Sequence, residues 1–526
     1  MIHRTGQLER WLDFKSFQVF KEAITYTALQ FFTQTNSTLV GVAFSEDGEI
    51  GDINWGDQSN CITIDEIASD DPWLMSTGKE RDLVVGLKLR CPDLGSPQVT
   101  DSIFQGLIGG ADSIFHLEKV SAGSYQSYDD DGNSRLVQME DGLLQPLISG
   151  PEIKRYELNS TNRHIIFPYS KTEGIVSLIA EAELSLKFPK THEYLTSFKD
   201  DLQEREDGSY FDDSWYRFSR SQNLGIQRSS KLIVAQTVPR MRVYCDFDGK
   251  WCLNNVRVNG VVPAKGMSLE FLLGVTNSNT FDYVFRLLAK PKQGGWFEAN
   301  KQFIAPLPVP KATPEQQAVI GKKARHLQEI WTKRRDLIEE VEARLSILPR
   351  QRFKAKFLWP DLPDANKMIL PKDLREAEKT VWKKEEMKRL EDAKYDALQG
   401  FLDTKAELQV EFSRGELRLL SGGRPVLSKI FVADEVGPLV AQYWRYVISQ
   451  RKTEAKTFAK ALGDYPSPDA SDAARQFAER VDELLALNET ILGHEHDMND
   501  ALYDLYELST AERQLIEDDC AKRPLL

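Results

Sequence analysis

The sequence predicts an α/β chain that ends in a mostly α-helical region, and three observations lead there. Up to about residue 310, short β-branched and aromatic runs alternate with helical ones, punctuated by Gly, Pro, Asn and Asp. At 306–310 the string PLPVP interrupts every regular pattern, because its prolines fix φ and remove backbone donors. Beyond it, apolar residues recur at helical spacing between Lys, Arg and Glu.

In chain order, YTALQFFT (26–33) and TLVGVAF (38–44) read as strands, and RHIIFPY (163–169), KLIVA (231–235) and MRVYCD (241–246) follow as three more. LEFLLGVT (269–276) reads as a helix running into Asn277 and Ser278. Thr313 is placed to cap a helix that opens at Pro314, and Ile320, Leu327, Ile330, Trp331, Leu337, Ile338, Val341 and Leu345 keep its helical period. Further charged helical stretches cover 371–408, 433–461 and 470–519, with an alternating, hairpin-like run at 407–420 between the first two. Long amphipathic stripes are usually core faces; an antiparallel helical hairpin or docking arm is the more specific reading.

At 526 residues the chain is too long for one ordinary domain. The texture divides it at 1–100, 101–311 and 312–526. Its 41% hydrophobic and 10% aromatic content suffices for packed cores. No apolar run is long enough to span a bilayer and the start does not read as a signal peptide. Five scattered cysteines without a CxxC pair read as reduced thiols, so the expected compartment is the cytoplasm. The net charge of −13 argues against nucleic acid when taken whole. Residues 214–311 argue the other way: they hold 14 Lys and Arg against 5 Asp and Glu, a local excess of 9 positive charges. A basic region inside an acidic chain is what a phosphate-binding face needs.

Several chemistries find no footing. There is no GxxxxGK[ST] phosphate loop, no GxSxG elbow and no HExxH pair. His494 and His496 are two apart, which on a helix turns them to different faces, so no metal site is expected. FQGLIGG (104–110) could be read as a cofactor loop, but the next residues, ADSIFHL (111–117), look like a turn into another strand, and a structural turn is the better reading. No catalytic residue and no nuclease pattern is assigned.

A series of short segments then carries a resemblance. They are FKSFQVFKEAITYT (14–27), FQGLIGGADSIF (104–115), LISGPEIKRY (147–156), IIFPY (165–169), WYRFSR (215–220), KLIV (231–234), LGVTNS (273–278) and PLPVP (306–310). Taken in this order they resemble the C-terminal specificity region of TaqI- and Eco57I-like type II adenine-specific DNA methyltransferases. The tail MNDALYDLYELSTAERQLIE (498–517) resembles the ending of larger members, phage-defence methyltransferases among them. Gly109 stands where that family commonly has Thr.

The resemblance implies a remnant of Rossmann-like methyltransferase strands within 1–100, a mixed α/β target-recognition domain over 101–311 and a helical C-terminal domain over 312–526. The family's S-adenosylmethionine loop and Asn-Pro-Pro-Tyr motif should precede residue 1, and neither occurs; DPW at 71–73 lacks the second proline. The expectation is therefore a DNA-reading half with no cofactor of its own, inactive alone. It would be served by a separate methyltransferase catalytic subunit that holds S-adenosylmethionine and supplies the missing strands. The expected DNA contacts come from the basic region: Arg217, Arg220, Arg228, Lys231, Arg240 and Arg242 on phosphates or bases, with Asn223 and Gln227 as base readers. Two alternatives stay open: an active enzyme with a degenerate motif, and a protein-binding scaffold or inhibitor module that kept the fold.

Overall fold

The fold is that of a computed structural model, which describes every residue except 1–5, 16, 21–26, 46, 56, 65–71, 293, 373, 405, 451, 467–470, 524 and 526. Part of the 14–27 segment therefore lies outside the described residues. The class is mixed α/β with a helical C-terminal region. Two compact units share the chain, 1–332 with 494–520, and 333–493 with 521–526.

In the first unit, the strands near the start form a mixed sheet. Leu8–Asp13 lies antiparallel to Ala28–Phe32 and parallel to Leu39–Phe44, and Cys61–Thr63 closes the far side. Leu8, Val40, Val42, Ile62 and Met75 form a buried cluster on it. The outermost strand, Ala28–Phe32, leaves Leu29, Phe31 and Phe32 exposed.

Two larger sheets follow. An antiparallel four-stranded sheet runs Val243–Asp246, Lys231–Ala235, Val258–Pro263, Thr100–Gln105 in spatial order. Helix Leu269–Thr276 packs on it and is buried at every position from 271 to 276, as expected of a helix apolar on all sides. Ser268 and Ser278 cap this helix and the next, Asn279–Leu288, by accepting the backbone N–H of Phe271 and Phe281. The six-stranded sheet places Leu144–Ile148 and Arg163–Ile166 beside the meander His116–Ser121, Ser124–Tyr128, Ser134–Gln138. The 163–169 run is not one strand. It stops at Ile166, and beyond Pro168 a separate hairpin begins, Tyr169–Thr172 with Ile175–Leu178. Likewise 241–246 pairs only from Val243, because the Met241 N–H is turned to the Asp282 carboxylate.

The glycines of 104–110 serve chain packing. A side chain on Gly106 would meet the backbone of Leu253 at 2.5 Å, and one on Gly110, at φ +79°, would meet Ser219 Oγ at 1.8 Å. A four-residue helical turn, Asp112–Phe115, then leads into strand His116–Ser121.

In the second unit, the hairpin at 407–420 is realised as Leu408–Ser413 and Glu416–Ser421, with Arg424–Phe431 as a third strand. Helices Glu376–Asp403, Gly437–Ser449 and Ala455–Gly463 accompany it. Trp444 is fully buried and donates its indole N–H to the Leu462 carbonyl at 3.0 Å. The division between units falls inside two long helices, Pro314–Ile347 and Ser471–Leu505. Thr313 Oγ1 caps the first by accepting the Gln316 N–H. Within the second unit, Arg334 donates to Asn488 at 2.7 Å and Arg480 meets Glu340 at 3.2 Å, so these helices run antiparallel there. The 470–519 stretch breaks at Glu507, which takes φ +54°, before helix Thr510–Ala521.

Among the described residues no group of three or more His, Cys, Asp and Glu is placed to hold a metal ion, and no helix is long and apolar enough to cross a membrane. His494 stacks edge-on against His326, while His496 pairs with Asp500 at 3.3 Å.

Candidate nucleic-acid interface

The loop 214–229 is pinned by aromatic residues. Trp215, Tyr216 and Phe218 are buried, and the Phe218 ring packs against Phe115 at 5.2 Å and Tyr169 at 5.1 Å. Arg217, between these anchors, is half-buried, and Arg220, just after them, is exposed. Arg205 holds the backbone beneath them. Its guanidinium donates to the carbonyls of Gly109 at 2.7 Å, Trp215 at 2.8 Å and Arg217 at 2.9 Å. A planar fork with several fixed donors can satisfy three converging carbonyls, which a lysine could not do in the same plane.

Two adjoining cavities open between this loop and the 169–178 hairpin, of about 530 and 300 Å³. They share Tyr169, Val176, Leu224 and Gly225, and so form one groove. Arg217 and Asn223 line the first; Gln145, Lys171 and Arg228 line the second. Arg217 is held by Asp212 at 2.6 Å, whose carboxyl it keeps below the usual carboxylate range, and lies over the Tyr210 ring. Arg220, half exposed, meets Glu206 at 2.9 Å. Surface pairs of this kind contribute about 0–1 kcal/mol, so an incoming phosphate can displace the carboxylate at little cost. Arg228 donates to the Gly249 carbonyl at 2.8 Å and to the Gln145 side chain, and it stays exposed. Asn223 adopts φ +63°, a conformation asparagine tolerates, and leans on the Gln105 carbonyl at 3.3 Å.

The other four residues expected at this face are elsewhere. Lys231 is fully buried; its ammonium donates to Asp246 at 2.7 Å, to the carbonyls of Gln227 and Trp251 at 2.8 Å each, and more loosely to Ser229. Burial pulls its pKa down and Asp246 pulls it back. Gln227 is fully buried as well: its amide donates to Gln105 and its carbonyl accepts the Leu253 N–H at 2.9 Å. Neither can reach a nucleic acid, because every donor of Lys231 and both ends of Gln227 are engaged inside the fold. Arg240 is 11% exposed and faces Asp282 at 3.5 Å, beside Arg286 and Asn279. Arg242 lies over Trp296, away from the groove lining, with its charge disfavoured by burial.

The structure thus brings Arg217, Asn223 and Arg228 to the groove, leaves Arg220 exposed beside Glu206 outside its lining, and buries Gln227, Lys231 and most of Arg240. The sequence reading missed Gln145, Tyr169 and Lys171, which reach the groove from other strands; of the three only Tyr169 falls in a segment singled out there, IIFPY. Residues 145–309 match the family described as the TaqI-like C-terminal specificity domain. This TaqI-like region includes the hairpin, the loop, the groove and the buried Lys231–Asp246 cluster. A 243-residue stretch is also 25% identical to the type II restriction enzyme and methyltransferase RM.Eco57I of Escherichia coli, covering 43% of this chain and 24% of that protein. The match therefore spans about a quarter of the relative's length. The TaqI-like region starts within strand Leu144–Ile148, so the meander that completes the six-stranded sheet lies before it.

Proposed function

We propose that this chain is the DNA sequence-recognition part of an N6-adenine DNA methyltransferase of a restriction-modification or phage-defence system. In this reading Arg217, Arg220 and Arg228 hold the duplex by its phosphates and Asn223 reads a base edge. Arg242 remains a candidate for a flanking phosphate. The observation that carries the reading is the groove of the TaqI-like region, where Lys171, Arg217 and Arg228 stand beside Asn223 and Gln145 and Arg217 is held by a weak surface pair. The reading is tested by titrating the chain with duplex DNA at several salt concentrations. Binding should weaken with salt along a log–log slope of about −0.9 per phosphate contacted. A chain that binds no duplex at low salt, but does bind proteins of its own operon, would fit the scaffold reading instead.

Methyl transfer itself is assigned to a separate catalytic chain that carries S-adenosylmethionine. The exposed outer strand Ala28–Phe32, with Leu29, Phe31 and Phe32 uncovered, supports a partner there, since apolar sheet edges invite strand pairing. Co-expression with a candidate catalytic chain should yield a heteromer that methylates adenine. A monodisperse monomer in the presence of that chain removes this part of the proposal.

A further inference from the structure

Resting on the DNA-binding reading, we propose that the 169–178 hairpin is the element that enters the major groove, with Thr172 and Ile175 as the residues that set base preference. The hairpin pairs Tyr169 with Leu178, Ser170 with Ser177, Lys171 with Val176 and Thr172 with Ile175, and no other strand joins it among the described residues. Its two-residue turn, Glu173–Gly174, has φ +53° and +86°, the mirror-image turn that suits the right-handed twist of a ribbon.

An isolated ribbon is marginal in water, yet this one is fixed at its base. The Tyr169 hydroxyl accepts the Phe218 N–H at 2.7 Å, Ile179 donates to the Pro168 carbonyl at 3.0 Å, and the Tyr216 hydroxyl donates to the Ile179 carbonyl. The tip stands free. Strand alternation then sorts its side chains. Tyr169, Lys171, Val176 and Leu178 share the face that lines the groove. Ser170, Thr172, Ile175 and Ser177 share the opposite face, all of them exposed, with Ile175 at 72%.

That outer face is uncharged: three hydroxyls and one isoleucine. Hydroxyls donate and accept, and so suit any base edge, and an aliphatic group suits the thymine 5-methyl. A two-stranded ribbon fits a major groove about 12 Å wide. With its outer face on the bases, the cations on its inner side, Lys171, Arg217 and Arg228, are left to the flanking phosphates. The hairpin's own readout residues and the neighbouring cations therefore lie on opposite sides of the ribbon.

The test is selection of duplexes from a randomised pool with the wild-type chain, followed by binding of the selected and a scrambled duplex to Thr172→Ala/Ile175→Ser. The variant should keep the affinity for scrambled duplex and the salt slope, and lose roughly 10-fold of its preference for the selected one. Ile175→Val should retain most of it. Replacing thymine by uracil through the selected site should cost the wild type preference at one position and leave Ile175→Ser indifferent. A variant that keeps full preference overturns the proposal, as does a wild-type chain that binds duplex without preference; both leave DNA binding itself standing. A wild-type chain that binds no duplex at all overturns the underlying reading too.

Discussion

The loop 214–229 and two buried pairs, Lys231–Asp246 and Arg240–Asp282, come from one basic segment, yet the fold uses their charges in opposite ways. In the loop, Arg217 and Arg220 meet Asp212 and Glu206 at the surface and remain a third to a half exposed. In the buried pairs, Lys231 meets Asp246 and Arg240 meets Asp282, each largely shut off from water. A buried pair must be complete, because removing one member strands the other charge in a poor solvent. A surface pair can open, and that is the property a phosphate-binding face requires. The comparison also corrects the reading of local charge. Asp212, Glu206 and Asp519 all lie outside 214–311, and they pair with Arg217, Arg220 and Arg286. Part of the positive excess is thus neutralised by acids that the sequence window does not count.

The largest effect should come from the Lys231–Asp246 pair. Asp246→Ala leaves the Lys231 ammonium buried without its counter-ion and should lower stability by about 3–5 kcal/mol in urea unfolding. A midpoint within error of wild type would show that this pair is not what holds strands 231–235 and 243–246 to the loop behind them. Arg217→Glu/Arg220→Glu should do the reverse. It should leave the unfolding midpoint in place and weaken duplex binding by about 10- to 100-fold at low salt, with the salt slope reduced by about 2. Unchanged affinity would take both residues out of the interface and shrink the contrast between the two regions to one of burial alone.

Arg205→Lys probes the junction between them. A lysine lacks the planar fork that aims at the carbonyls of Gly109, Trp215 and Arg217 together, so a stability loss of about 1–2 kcal/mol is expected. Duplex binding should fall with it although no groove residue has changed. Binding preserved despite that loss would mean the loop keeps its shape without Arg205.

The smallest effect concerns pH. Burial, opposed by Asp112 and reinforced by Arg163, lowers the pKa of His116, and burial likewise lowers that of His164 on the neighbouring strand. A base with a lowered folded pKa binds fewer protons folded than unfolded. Stability should therefore decline as pH falls through about 6.5 and level off below the folded pKa values. His116→Gln should flatten that decline in thermal melts between pH 7 and pH 5. An identical decline would assign it to other groups.

Much of the fold was legible where local physics dominates. KLIVA and LEFLLGVT are apolar enough to be core whatever surrounds them, and the cap at Thr313 follows from a hydroxyl just before a helical run. The 163–169 strand was overextended because Pro168 was read as part of a run and not as its end. The candidate site was legible by residue type only. Arg217 and Lys231 look alike as letters, and period-2 alternation cannot tell a lysine at a wet surface from one whose three donors all find partners inside. Nor could local pattern have placed Gln145, Tyr169 and Lys171 beside Arg228, since that proximity depends on how the six-stranded sheet delivers its strand ends.

By itself the sequence determined the class of the chain, the place where α/β texture gives way to long helices, and the ordered segments of the TaqI-like region. Those properties live in short-range patterns of size, branching and polarity. Only the tertiary structure decided which cations face water, which acids neutralise them, and that a small hairpin stands free beside the basic loop. Burial and pairing are set by residues far apart along the chain, and a charge has no fixed role until its neighbours are known.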